Sequence, residues 1–190
     1  PDDVPYDECE PEQMVALARQ HHLPTIAYTY TEPLTWIEYM TDIARLAHGA
    51  GLYNVLVSAG YVNAQPLRDL APLLDAANVD LKSFSDETYR QYNRASLEPV
   101  LRTLTILREA GVHLEVTLLL IPGINTDDAG LHRMFRWLVD HNMADCALHI
   151  SRFFPMYKMQ EAPATPLADM RRAEAIAYDE GIAHVFLGNV

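Results

Sequence analysis

Short apolar runs alternate with longer segments of helical periodicity from one end of this chain to the other, and this alternation constrains the fold more than any other feature. The apolar runs are nearly continuous and are bounded by turn residues, which is typical of strands buried on both faces of a parallel sheet. We predict strands at residues 25–30, 53–58, 78–82, 113–121, 147–151 and 184–187.

Helical segments fill the intervals between these strands, at residues 11–20, 34–50, 66–76, 97–110, 128–141 and 166–180. Pro11 suits the first turn of its helix, and Gly51, Gly111 and Gly181 each stand where a helix ends before the next strand. Successive strands start roughly 25 to 37 residues apart, which is the length of a βα unit with short loops.

The pattern predicts an α/β fold, namely a partial TIM-like (β/α) barrel of about six parallel strands with outer helices. We expect one domain over residues 1–190, because no linker or low-complexity stretch interrupts the repeats. An open parallel sheet is the alternative. A dinucleotide-binding sheet is disfavoured, since no GxGxxG motif follows the first strand.

The charge balance excludes two classes of partner. The chain has 14 Lys and Arg but 26 Asp and Glu, and the resulting net charge of −12 repels nucleic-acid phosphates and anionic lipid. No run of 18 apolar residues occurs and the N-terminal residues are acidic, so we expect a cytoplasmic protein with neither nucleic-acid nor membrane partners. The two cysteines, Cys9 and Cys146, lie far apart without metal-ligand spacing, which predicts plain thiols.

Polar residues follow the predicted strands at the points where each strand ends. In a barrel of parallel strands these ends meet at one mouth, and ligands bind there. A packed barrel core favours branched apolar side chains, so five successive polar strand ends predict a ligand site. Within it, the Glu32 carboxylate is an acceptor suited to a ligand's ammonium group or to a metal.

Each of these residues also has a purely structural interpretation. Glu32 is placed to cap the helix that follows it, and Asp80 and Lys82 have the spacing of an ion pair on one face of a strand. Residues 121–123 suit a turn that ends a strand. His149 shares a strand face with Ser151, which favours a hydrogen-bonded barrel histidine.

Several phrases of the sequence together resemble the radical SAM enzymes related to pyruvate formate-lyase activating enzyme, most of all the AmmeMemoRadiSam system branch. They are "IAYTYTEP", "NVLVSAGY", "NVDLKSFSDETYR", "LLLIPGIN", "HISRFFPMYKM" and "VFLGNV". The resemblance runs from about Met14 to Val190 and keeps the family's order of motifs.

This resemblance implies a partial barrel that holds a 4Fe-4S cluster and S-adenosylmethionine at its mouth. One electron from the cluster cleaves the sulfonium to methionine and a 5′-deoxyadenosyl radical, which abstracts hydrogen from a substrate. It further implies an electron donor such as flavodoxin or ferredoxin, and a protein or peptide is a candidate substrate. Fold and cofactor do not fix that substrate.

The resemblance also assigns cofactor-binding positions. Thr31 and Glu32 stand in the place of the family's GGE segment, which binds the methionyl ammonium, although both glycines are replaced here. Ser58 and Asp80 match positions near the methionine carboxylate, where a monovalent cation can also bind, and Lys82 is a candidate partner for that carboxylate.

Two later segments complete the expected cofactor site. Ile121 begins the segment that corresponds to the lining of the adenosine. His149 begins the segment where the adenine meets the edge of the substrate.

The most serious departure of the sequence from the family concerns the cluster ligands. The CxxxCxxC loop that supplies three thiolates to the cluster is missing from these 190 residues. We therefore expect a domain truncated at its N-terminus, with the cluster ligands upstream of Pro1, and no catalysis by this chain alone. The alternatives are a cluster-less module that binds an S-adenosylmethionine-like ligand, and a barrel lyase or aldolase that uses Lys82.

Overall fold

Six parallel strands form one sheet in the computed structural model, which describes residues 8–190. Each strand pairs with its neighbours in sequence, in the order β1-β2-β3-β4-β5-β6. An open doubly wound sheet reverses its strand order at a switch point, and no reversal occurs here. The predicted partial barrel is therefore confirmed. The strands are β1 Thr25–Tyr28, β2 Tyr53–Ser58, β3 Ala76–Asp80, β4 His113–Leu120, β5 Ala147–Arg152 and β6 His184–Gly188.

Helices connect the strands and cover one face of the sheet. Gly51 and Gly111, which follow the α2 and α5 helices, have φ angles of +74° and +77°, as the predicted helix ends require. The helices are α1 Pro11–Gln20, α2 Ile37–Gly49, α3 Ala64–Leu70, α4 Asp86–Thr88, α5 Leu97–Glu109, α6 Asp128–Asp140 and α7 Leu167–Glu180.

Several predicted boundaries were wrong, including the end of the first strand, which stops at Tyr28 and not at residue 30. The helix predicted at 66–76 ends at Leu70 and continues as a 3-10 turn, Ala71–Leu73, because a proline at position 72 cannot sit inside an α-helix. β3 therefore begins at Ala76, two residues before the predicted start. The helix predicted at 34–50 opens with a 3-10 segment, Pro33–Trp36, before α2 begins.

A helical segment after β3 was not predicted. The single turn α4 continues into a π-helix, Tyr89–Asn93, which ends at Arg94 in the left-handed conformation. Tyrosine and asparagine are weak helix formers, so the composition of this segment does not indicate a helix. This segment forms one wall of the barrel mouth.

The two faces of the sheet differ in burial, which corrects the expectation that both faces are covered. Along β4, Leu114, Val116, Leu118 and Leu120 are buried beneath the helices, whereas the alternate residues are intermediate or exposed. The same alternation occurs in the other strands. Within residues 8–190 the concave face is thus partly open, and the polar strand ends reach it.

No helix in the described part of the chain is long and apolar enough to cross a membrane. The acidic residues near Pro1 lie outside the described range, as do any cluster ligands upstream of them.

Candidate functional site

The carboxylate of Glu32 joins the ends of β1 and β2. One oxygen of this carboxylate accepts hydrogen bonds from the Ser58 hydroxyl at 2.6 Å and from the backbone N–H of Leu34 at 3.2 Å. The other oxygen accepts the backbone N–H of Ala59 at 2.8 Å. Glu32 thus caps the following 3-10 helix, as its structural interpretation predicts, and also links two strand ends.

The Ser58 side chain is oriented by this contact. It is 5% exposed and lies on the face of β2 that packs against the helices. Its hydroxyl donates to Glu32 and accepts the backbone N–H of Gly60 at 2.9 Å. Since a hydroxyl has a single proton to donate and Glu32 accepts it, Ser58 affects a ligand mainly by orienting the Glu32 carboxylate.

An ion pair follows at the end of β3. Leu81 is fully buried, so its neighbours Asp80 and Lys82 project from the opposite, concave face, in agreement with their spacing. The Lys82 ammonium lies 2.8 Å from the Asp80 carboxylate, and the two side chains remain 38% and 40% exposed. A ligand can therefore reach both charges.

Two buried residues hold the backbone of Lys82 in place. The Lys82 backbone N–H donates to the Tyr89 hydroxyl at 3.1 Å, and burial raises the pKa of Tyr89 to about 12. The Asn125 amide donates at 2.8 Å to the carbonyl oxygens of both Lys82 and Leu119. Its own oxygen accepts the backbone N–H of Ile121 at 2.7 Å.

Asn125 lies in a polar segment that follows a predicted strand, but no separate role in the site was predicted for it. It is 6% exposed and fastens the end of β3 to the end of β4. The available signal was an amide shortly after the Pro-Gly turn of "LLLIPGIN", where a buried turn needs a side chain to satisfy the free backbone groups.

A cavity of about 420 Å³ opens where these strand ends meet. It is lined by five of the predicted site residues and by their sequence neighbours at the ends of β1 and β2. The cavity contains two carboxylates and one ammonium group, which is a charge set complementary to the zwitterionic end of an amino acid. The five predicted residues are Thr31, Glu32, Ser58, Asp80 and Lys82.

A second cavity, of about 540 Å³, adjoins the first at Lys82, which lines both. Ile121 lies in this second cavity together with residues from the π-helical segment and from the loop that contains Lys158. The structure therefore places Ile121 in the neighbouring cavity and not in the one that is lined by Glu32 and Asp80.

His149 lines neither of these cavities. Its Nε2 lies 2.8 Å from the Glu115 carboxylate, which also accepts a hydrogen bond from the Asn78 amide at 3.2 Å. The imidazole stacks on Phe186, with ring centroids 5.4 Å apart. Glu115 was not singled out from the sequence, although a glutamate inside the apolar run of β4 was a usable signal.

The thiols of the described residues do not form a cluster site. Cys9 precedes α1, whereas Cys146 is buried before β5, where burial raises its pKa. Within residues 8–190 no three Cys, His, Asp or Glu side chains are grouped to hold a metal. A 4Fe-4S cluster needs three or four thiolate ligands, so these residues do not fit that group. The charges of the first cavity do fit the methionine end of S-adenosylmethionine.

Residues 1–135 match the family model of the Radical SAM superfamily. Over the full 190 residues the chain is 37% identical to an uncharacterized protein of Methanocaldococcus jannaschii, and it covers 56% of that protein. Over 114 residues, or 59% of the chain, it is 21% identical to a trans-4-hydroxy-L-proline dehydratase activating enzyme of Clostridioides difficile and covers 38% of that enzyme. The chain thus spans about half the length, or less, of these relatives.

Solved structures share the fold at low identity. A domain of pyruvate-formate lyase-activating enzyme from Bacteroides vulgatus superposes with a TM-score of 0.71 at 16% identity, over 86% of this chain and 98% of that one. SuiB of Streptococcus suis bound to S-adenosylmethionine gives a TM-score of 0.75 at 8% identity, over 99% of this chain and 45% of that one. At such identities the likeness concerns the fold.

Proposed function

Because this chain belongs to the radical SAM superfamily, we propose that it forms the S-adenosylmethionine-binding part of a radical SAM enzyme similar to glycyl-radical activating enzymes. The observation that carries the proposal is the 420 Å³ cavity at the ends of β1, β2 and β3, with its two carboxylates and one ammonium group. The narrower resemblance to the AmmeMemoRadiSam branch stays a prediction.

The residues of the cavity have separate roles in this proposal. Glu32 and Asp80 accept the ligand's ammonium, and Thr31 lies beside them with an exposed side chain. Lys82 donates to the ligand's carboxylate, since an ammonium has three protons and its bond to Asp80 uses one. Ser58 orients the Glu32 carboxylate.

The adenosine end of the ligand is assigned to the neighbouring strand ends. Ile121 offers it an apolar surface next to Lys82. His149, held against Glu115 and stacked on Phe186, keeps its second ring nitrogen for the ligand. Both assignments rest on family resemblance together with their places on this face.

S-adenosylmethionine bound beside a reduced 4Fe-4S cluster would supply the radical chemistry that removes hydrogen from a substrate. We assign the cluster ligands to a segment outside the described residues. The reaction then needs a one-electron donor such as flavodoxin or ferredoxin, and the activating enzymes among the relatives make a protein or peptide substrate the first candidate. We place the enzyme in the cytoplasm, where free thiols such as Cys9 and Cys146 persist.

The aldolase alternative is less well supported. A lysine that forms a Schiff base attacks as a neutral amine, whereas the nitrogen of Lys82 is engaged 2.8 Å from a carboxylate. The cluster-less module differs from the proposed enzyme only in redox chemistry, so a cleavage assay separates the two.

The first test is genetic. About 60 codons upstream of Pro1, the length of one to two βα units, are read for a CxxxCxxC sequence. The complete gene product is then reconstituted with iron and sulfide without oxygen, reduced with dithionite and incubated with S-adenosylmethionine. We expect 5′-deoxyadenosine, detected by mass spectrometry, only when iron and reductant are both present.

The binding site is tested in the same preparation. Glu32→Gln removes a charged acceptor, so we expect S-adenosylmethionine to bind roughly 10- to 100-fold more weakly in calorimetry. The matched control is Glu38→Gln, which changes an exposed glutamate outside this cavity and leaves the affinity unchanged. Binding without cleavage indicates the cluster-less module, and an adduct at Lys82 trapped by borohydride indicates the aldolase.

A further inference from the structure

The second cavity at the barrel mouth contains both lysines of the chain. The sequence has two lysines, Lys82 and Lys158, and each lines this 540 Å³ cavity. They come from distant parts of the sequence, the end of β3 and the loop after β5. In a chain with net charge −12, the fold has concentrated its ammonium groups at one place.

The polar part of the cavity wall contains no carboxylate. None of the lining residues is acidic, although the chain has 26 Asp and Glu. Four uncharged polar side chains lie beside the lysines, and within residues 8–190 none of them hydrogen-bonds to another protein group. These side chains offer further hydroxyl and amide protons to an acceptor. They are Thr88, Gln91, Tyr92 and Asn93.

Lys158 is available to a ligand. Its ammonium forms no salt bridge within the described residues and lies 5.3 Å from the centre of the Tyr157 ring. Lys82 is paired with Asp80 but is 38% exposed and keeps two further protons. The cavity thus presents one unpaired positive charge and a second, partly balanced one.

The floor of the cavity is apolar. It is formed by side chains from β4, from the turn after it and from the Lys158 loop, namely Leu119, Ile121, Ile124 and Met159. Leu119 is 40% exposed, which is unusual for a leucine in a central strand and leaves apolar surface for a ligand to cover. A volume of 540 Å³ lies within the usual range of small-molecule sites.

Unusual backbone occurs on both sides of this cavity. One wall is the π-helix Tyr89–Asn93, and such segments are frequent at functional sites. On the other side, Lys158 lines the cavity and directly follows Tyr157, which has a φ of +51°. Bulky residues rarely adopt this conformation, and such outliers cluster where a side chain must be aimed at a ligand.

From these observations we propose that the second cavity binds the substrate through an anionic group, a carboxylate or a phosphate, attached to an apolar carbon skeleton. Lys158 binds the anion, Lys82 approaches it from the side of the first cavity, and Leu119 and Ile124 pack against the skeleton. The identification of this ligand as the substrate rests on the proposed function, whereas the anion site itself does not. The same chemistry is found in a free acid and in an acidic side chain of a polypeptide.

The test uses probes that share one skeleton, namely 4-phenylbutyrate, 4-phenylbutanol and 4-phenylbutylamine. We expect the acid to bind roughly 10- to 100-fold more tightly than the alcohol, and the amine more weakly still, in calorimetry. Lys158→Met keeps the apolar stem and should remove most of the preference for the acid, because only the partly balanced charge of Lys82 then remains. The control Arg90→Met removes an exposed charge from the same π-helical segment outside the cavity and should leave it intact.

Three results would overturn the proposal. They are equal affinity for acid and alcohol, an equal loss in both variants, and a preference for the acid that Lys158→Met leaves unchanged. A readout on the unmodified protein guards against misfolded variants: the acid should slow acetylation of Lys158 by trace acetic anhydride, measured by peptide mass spectrometry, and the amine should not.

Two further arms separate the remaining questions. A blocked leucine-rich peptide with one glutamate, compared with its glutamine counterpart, tells an acidic side chain from a free acid as the natural source. Glu32→Gln should weaken S-adenosylmethionine and leave 4-phenylbutyrate binding unchanged. If neither protein binds S-adenosylmethionine but the acid still binds, the proposed function fails while the anion site stands.

Discussion

Replacing Asn125 by alanine should loosen the barrel mouth, because this side chain holds backbone groups of two neighbouring strand ends. The side chain is 6% exposed and makes three hydrogen bonds to the backbone of Lys82, Leu119 and Ile121. Alanine makes none of them and leaves an N–H and two carbonyl groups to find new partners.

The magnitude follows from those contacts. Each hydrogen bond contributes a net free energy of about 1 kcal/mol, so the three together give about 3 kcal/mol. For a chain of this length, about 3 kcal/mol corresponds to a fall in Tm of roughly 6 to 12 °C. The loss should also displace Lys82, so S-adenosylmethionine and 4-phenylbutyrate should both bind less tightly.

Urea unfolding followed by circular dichroism measures this change. The control is Asn63→Ala, because Asn63 precedes α3 without a side-chain cap bond, and its replacement should alter stability by less than about 0.5 kcal/mol. If Asn125→Ala costs no more than the control, the side chain does not fasten β3 to β4. If stability falls but both affinities stay unchanged, Asn125 does not position Lys82.

Two further substitutions test the packing and the electrostatics. Gly60→Ala places a Cβ 2.8 Å from Val79 at a φ of +70°, so we expect it to reduce the free energy of unfolding by about 2 to 4 kcal/mol. The comparison is Gly123→Ala, where φ is +75° but the Cβ would enter open space, and we expect a loss of about 1 to 2 kcal/mol. Urea unfolding of both variants measures the difference. The hydrogen-bonded Arg136 guanidinium lowers the pKa of Glu180. The stability that this carboxylate contributes is therefore present at pH 7 and is lost as the pH falls from the ordinary range of a glutamate through the lowered pKa. Glu180→Gln should therefore be less stable than the parent chain at pH 7, and thermal unfolding at decreasing pH should show the difference disappear.

The strands were predictable because their signal is local. Apolar runs between turn residues gave β2 its observed bounds and gave β4 its start at His113. The end of the helix predicted at 66–76 could not be predicted in this way, because Ala76 and Ala77 suit a helix or a strand. The contacts of β3 with its neighbouring strands decide the outcome. The π-helix is likewise fixed by tertiary contacts, such as the burial of Tyr89.

The candidate site was predictable only in part. Strand spacing put Asp80 and Lys82 on one face, since that geometry needs only the period of a single strand. The pairing of His149 with Glu115 depends on the register between β4 and β5, which sets Thr117 opposite His149. A single sequence contains no record of such a register.

Lys82 connects the two cavities, and this has a consequence for how their ligands interact. Its ammonium has three protons, of which Asp80 accepts one, so two remain for acceptors that approach from either side. An amino-acid carboxylate in the first cavity and an anion in the second would each accept one, and each would then reduce the positive charge available to the other. Binding of the two ligands is therefore coupled, and by linkage each must change the affinity of the other by the same factor.

Lys158 offsets this competition, because its charge lies on the second cavity alone.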